Sequence, residues 1–178
     1  MTKSTEIEFA EMMEKAETIK FCMLTTQGGL NQLRSRPFTT QQALSNGTVW
    51  FLTAQESDAV NEINASPAVA LIYADTSAGR YLSMLGDAHI SNDRDLIGRL
   101  WSPMNSAFFS EGVDDPSIRV IEVKVFEAEL WEPHGTRVGQ LFSMAKAALG
   151  GDVEAGDVGR HVDIANPYDS SKAGNAYR

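Results

Sequence analysis

Arg34-Ser35-Arg36-Pro37-Phe38 puts two guanidiniums on one extended segment, and Val49-Trp50-Phe51-Leu52-Thr53 follows shortly after, leading to Ser57-Asp58. Guanidinium forks match phosphate oxygens in fixed geometry, so a cationic strand beside hydroxyl-bearing neighbours suits a phosphate. Ser57 is also a helix-capping residue type. A helix amino end offers unpaired N–H groups and a favourable dipole to an anion held between it and Arg34 or Arg36. A plainer alternative stands beside this one: both arginines are solvent-facing strand residues paired with nearby acids, an ordinary arrangement. Trp101 and Trp131 divide in the same way, between core or dimer-contact aromatics and the border of a planar cofactor.

Other chemistries find less in the chain. His89, His134 and His161 lie far apart, no His-Glu-x-x-His or paired-Cys arrangement is present, and we expect no metal site. Gly-x-Ser-x-Gly is absent, and Cys22 sits in an apolar run with no sign of an activated thiolate. The glycine-rich phosphate loop and the Gly-x-Gly-x-x-Gly dinucleotide fingerprint are missing too. No residue stands out as a general acid or base, so no catalytic residue is assigned.

Composition narrows the partners. A formal charge of −9 repels polyanions over most of the surface, against nucleic acid and anionic membranes, while a small phosphorylated ligand still fits a local basic spot. One cysteine permits no intrachain disulfide. The amino end lacks the apolar run of a signal peptide, and no stretch reaches the roughly 18 apolar residues of a membrane span. A soluble, cytoplasmic protein is the expectation. With 178 residues, 43% of them apolar, one domain with one sizeable core is expected.

Around the arginine strand, helices and strands follow one another with short turns between them. A first helix is capped by Ser4 or Thr5 and carries Ile7, Met12, Met13 and Ala16 as apolar positions. Strands are expected over 19–26 and 32–40, joined by Gln27-Gly28-Gly29, and over 48–53 after Ser45-Asn46-Gly47, forming a three-stranded meander. Ser57 caps a short helix to about Ala65, with Pro67 as boundary. The almost wholly apolar run 68–74 reads as a strand covered on both faces, and 80–90 as its neighbour. Asp93 opens a helix with Leu96, Ile97, Leu100 and Trp101; a Pro- and Gly-containing loop leads to a long last strand over 117–131. Val138, Leu141, Phe142, Ala145 and Leu149 follow amphipathic helical spacing, ended by Gly150-Gly151. This divides the chain into a domain over 1–151 and a polar tail over 152–178, mobile or docked on a dimer partner. Six strands with short turns and few helices make a mainly β protein, a closed or nearly closed antiparallel barrel.

The order of these motifs resembles the general-stress-protein branch of the pyridoxamine 5'-phosphate oxidase-like flavoproteins. Arg34 to Phe38, Val49 to Thr53 with Ser57-Asp58, Leu100-Trp101-Ser102-Pro103, Phe108-Phe109, Gly112 to Pro116 and Glu129-Leu130-Trp131 carry the likeness, over roughly residues 5 to 165. The resemblance implies a six-stranded split β-barrel of the FMN-binding type, a homodimer with two flavin sites at the subunit interface. FMN is the expected cofactor, with FAD as the other choice. Arg34, Ser35, Arg36 and Pro37 would border ring and phosphate, Leu52, Thr53 and Ala54 would line the next strand, and Ser57 with Asp58 would approach the phosphate. Trp101 and Trp131 would come from the other subunit. The implied function is a flavin-dependent oxidoreductase acting on a small molecule, the alternatives being a non-catalytic flavin carrier or a dimeric stress-response module. One departure stands out: relatives commonly carry a basic residue where this chain has Ala59. Losing such a charge removes a contact of about 1.5–3 kcal/mol, one to two decades in affinity.

Overall fold

The computed structural model describes residues 3–133 and 160–166. His134, the helix expected over 138–149 and most of the tail lie outside the described residues. The first helix, α1 (Lys3–Ile19), buries Phe9, Met12, Met13 and Ala16, an i, i+3, i+4, i+7 stripe. It starts ahead of the expected Ser4 or Thr5 cap, and Ile7 is exposed because it lies opposite that stripe. Lys20, in a left-handed backbone conformation at φ 69°, turns the chain into the sheet.

The strands are β1 (Phe21–Gln27), β2 (Leu33–Thr39), β3 (Gln42–Ala43), β4 (Thr48–Ala54), β5 (Ala68–Asp75), β6 (Arg80–Ser91), β7 (Ile118–Glu132) and β8 (Arg160–Ala165). Between them lie α2 (Asp58–Ala65) and α3 (Arg94–Leu100). Every pairing is antiparallel, in the order β2-β1-β5-β6-β7-β4-β3, with β8 also on β7. All six expected strands are present, curled into the split-barrel architecture; β3 and β8 are additional. Part of the segment read as a polar tail is therefore a strand of this sheet, held to the second half of β7 from Glu127 to Glu132.

Two further expectations are corrected. The meander does not form: β2 bonds to β1, whereas β4 bonds to β7 and to the short β3. Pro37 suits β2 to the sheet edge, since proline cannot supply a ladder donor in a central strand. Nor is β5 covered on both faces. Val69, Leu71 and Tyr73 are buried, but Ile72 points outward beside Met23 and is exposed.

The main core fills the inner face: Leu24 of β1, Phe51 of β4, Leu71 and Tyr73 of β5, Leu82 and Met84 of β6, Val123 and Leu130 of β7, with α1 packed against them. Where β2 and β4 approach without a ladder, Phe38 meets Phe51 edge to face at 5.7 Å. A bulge at Phe126 curls β7, because Leu85 pairs with Glu127 while Gly86 pairs with Val125. Gly86 is required there: a Cβ would stand 2.7 Å from the Lys124 carbonyl oxygen. A second, smaller core lies outside the sheet, where Ile97 and Leu100 of α3 pack on Ile118 and Val120.

Candidate functional site

The split between β2 and β4 has two unlike flanks. On one, alternation along β2 sends Arg34 and Arg36 to the same side, toward α2. Asp58 and Glu62, four apart on α2, meet them. Arg36 places Nη2 2.7 Å from Glu62 Oε2 and donates from Nη1 to Thr26 Oγ1 at 3.1 Å. Thr26 Oγ1 donates to the same carboxylate oxygen at 2.5 Å. Arg34 Nη1 lies 3.3 Å from Glu62 Oε1 and 3.7 Å from Asp58 Oδ2. Glu62 is only 9% exposed. Burial pushes its carboxyl up, but the bonds from Thr26 and Arg36 and the charges of both arginines outweigh that, so its pKa is lowered.

On the other flank a cleft of about 330 Å³ opens. Pro37, Phe38 and Thr39 of β2 form one wall, and Leu52, Thr53 and Ala54 of β4 another. Gln41 joins the first wall, and Ser57 closes one end. Met104, Asn105, Phe108 and Phe109, from the loop after α3, complete the lining. That loop is fixed from several directions. Asp93 caps α3 by accepting from Asp95 N and Leu96 N at 3.0 Å each, and Trp101 packs on Phe109 with centroids 6.1 Å apart. Arg94 donates to the Val113 and Asp115 carbonyls, and buried Asn105 donates from Nδ2 to Gln41 Oε1 at 3.2 Å. Phe108 is 76% exposed at the mouth, a large ring left to solvent beside an apolar wall.

Ser57 does cap α2. Val60 N–H donates to its Oγ at 3.4 Å, and Thr53 Oγ1 donates to the same oxygen at 3.1 Å. The side chain of Ala59, where the resemblance led us to expect a cation, is buried in the main core. The first turn of α2 therefore offers an anion Ser57 and backbone N–H groups, with Asp58 opposing.

The expected site residues thus separate. Pro37, Leu52, Thr53, Ala54 and Ser57 line one cleft; Arg34, Arg36 and Asp58 belong to the ion cluster beside it. Ser35 alternates to the outer side, its hydroxyl 2.7 Å from that of Thr25. Trp101 braces the loop without lining the cleft, and Trp131 stands on the outer side of β7 opposite Tyr81. Sequence reasoning gave no place in the site to Thr39, Gln41, Met104 and Asn105, nor to Phe38, Phe108 and Phe109, although these three fall in the motifs that carry the resemblance. Adjacent phenylalanines in a loop were a usable signal; the Gln41–Asn105 pair spans 64 residues and leaves none. Cys22 is buried on the inner face, and that burial pushes its thiol up to about 12, far from a reactive thiolate.

The family model for pyridoxamine 5'-phosphate oxidase-like proteins matches residues 8–154. Protein bli-3 of Neurospora crassa is 27% identical over 142 residues, 74% of this chain and 68% of that protein. A crystal structure of a general stress protein 26 from Jannaschia sp. CCS1 superposes with a TM-score of 0.71 at 25% identity, covering 92% of this chain and 99% of that one. A general stress FMN/FAD binding protein from Xanthomonas citri shares the fold with a TM-score of 0.62 at 20% identity, covering 76% of this chain and 93% of that one. The chain belongs to the pyridoxamine 5'-phosphate oxidase-like family.

Proposed function

We propose that this protein binds a flavin nucleotide, FMN or FAD, in the cleft between β2 and β4, and works as a flavin-dependent oxidoreductase on a small molecule. One observation carries the reading: the cleft is lined by apolar and uncharged polar side chains, with no ionisable group among the lining residues. Such walls suit a planar ring, and its volume falls within the ordinary range for small-ligand sites. Pro37, Leu52, Thr53 and Ala54 would hold the ring, with Gln41 and Asn105 offering hydrogen bonds at its edge. Ser57 and the start of α2 would face the phosphate, with Arg34 and Arg36 on the neighbouring strand and Asp58 as an opposing charge; Ser35, turned to the outer side, would offer only its backbone. Bound flavin supplies the electron transfer; the chain orients it and excludes water.

A homodimer completes this reading. Phe21, Met23, Ile72, Tyr81, Leu85 and Trp131 are all exposed, and the paired positions Met23–Ile72 and Tyr81–Trp131 place them across neighbouring strands of one sheet. A second copy is the occupant that would cover this apolar surface, and it would bring its Trp101 and Trp131 toward the flavin. No described helix is long and apolar enough to cross a membrane, and a lone buried cysteine fits a reducing cytoplasm.

The absence of an ionisable lining group also favours a second reading, a flavin carrier or dimeric binding module without turnover. Purified protein separates the two. Saturable quenching of flavin fluorescence supports binding, and bleaching of the bound flavin by NADPH or NADH supports an oxidoreductase. Binding without bleaching by either donor selects the carrier, and no binding at micromolar concentrations overturns both.

A further inference from the structure

We infer that Glu62 competes with the ligand's phosphate for Arg34 and Arg36, so that ring and phosphate are recognised separately and Glu62 sets how much the phosphate counts. This rests on the flavin reading above, which concerns the cleft; the inference concerns the cluster beside it. Two guanidiniums face two carboxylates, Glu62 and Asp58, so the cluster carries no net charge to offer an incoming anion. Arg36 is committed at both terminal nitrogens, Nη1 to Thr26 and Nη2 to Glu62. Glu62 uses both oxygens, Oε2 toward Arg36 and Thr26 and Oε1 toward Arg34. Its carboxylate thus presents to the arginine forks the same planar pair of acceptors that a phosphate would present. A phosphate reaching Arg36 must break a 2.7 Å charge-assisted bond and leave a nearly buried carboxylate without its cation. No compensating cation stands in the first turn of α2, because Ala59 occupies the core.

The consequence is measurable by pairing FMN with riboflavin, which has the same ring and no phosphate. Full-length protein should bind the two with affinities within about tenfold of each other. Glu62→Gln keeps the shape and an acceptor for Thr26 and Arg36 but removes the charge, so it should tighten FMN by about tenfold or more while riboflavin changes less than about twofold. An FMN-to-riboflavin ratio that Glu62→Gln leaves unchanged or lowers overturns the inference while the flavin reading stands. No binding of either flavin to either protein overturns both. If Glu62→Gln abolishes cooperative melting, Asp58→Asn carries the test. Asp58 is 74% exposed, and its loss should raise the ratio severalfold; no rise overturns the competition.

Discussion

The two flanks of the split between β2 and β4 treat charge in opposite ways. The flank toward α2 concentrates it: two arginines, two acids and a threonine hydroxyl tie one another within hydrogen-bonding or ion-pair distance. The flank toward the loop after α3 excludes it, with a lining of apolar and neutral polar side chains. A conspicuous cationic pair in a sequence is therefore not a vacant anion site. Its charge is already answered by an element that folds onto it, and the shape able to hold a ligand lies next door. The alternative of arginines paired with nearby acids describes their contacts, although Glu62 is nearly buried rather than a surface partner.

Filling the uncharged flank should have the largest effect. Ala54 is exposed on the cleft wall, so Ala54→Trp should weaken flavin binding by about a hundredfold or more while the melting temperature moves little. Unchanged affinity would place the ligand elsewhere. Breaking the charged flank should instead cost stability. Glu62→Ala leaves Thr26 and a partly buried Arg36 without their acceptor, and urea unfolding should show a loss of about 1–3 kcal/mol.

The same carboxylate gives the charged flank a pH signature. Because the folded-state pKa of Glu62 is lowered, its contribution to stability is fully present above the ordinary carboxylate value near ~4.3 and is lost as pH falls through the lowered value. Urea midpoints measured from just above that ordinary value down through the lowered one should fall less steeply in Glu62→Gln than in the unaltered protein. Identical slopes would remove Glu62 from the acid response. The smallest effect belongs to the bond across the cleft itself: Asn105→Ala removes the donor to Gln41, and flavin affinity should drop severalfold without a change in the FMN-to-riboflavin ratio.

Much of this was legible in the sequence, for local reasons. Apolar and β-branched runs bounded by turn signals marked all six long strands, and capping chemistry marked Ser57 and Asp93, both confirmed as caps. Pairing was harder. Nothing local says that the strand after Asn46-Gly47 bonds to β7, more than sixty residues on, rather than to the strand before it. The short β3 and the late β8 escaped because two residues carry no periodicity, and 160–165 lies in a stretch too polar to read as a strand. Part of the cleft was visible because Pro37, Leu52, Thr53, Ala54 and Ser57 fall on or beside two recognisable strands. Met104, Asn105, Phe108 and Phe109 are supplied by a loop whose position depends on α3 packing against Ile118 and Val120. Glu62 was unremarkable in sequence, one acid among 24 in the chain, and only the fold sets it against both arginines.

An equilibrium titration of FMN with the unaltered protein and with Ala54→Trp side by side, followed by flavin fluorescence, tests the central claim most directly. The cleft assignment predicts saturable binding to the first at micromolar concentrations and its loss in the second. Equal binding by both proteins, or none by the unaltered one, would contradict it.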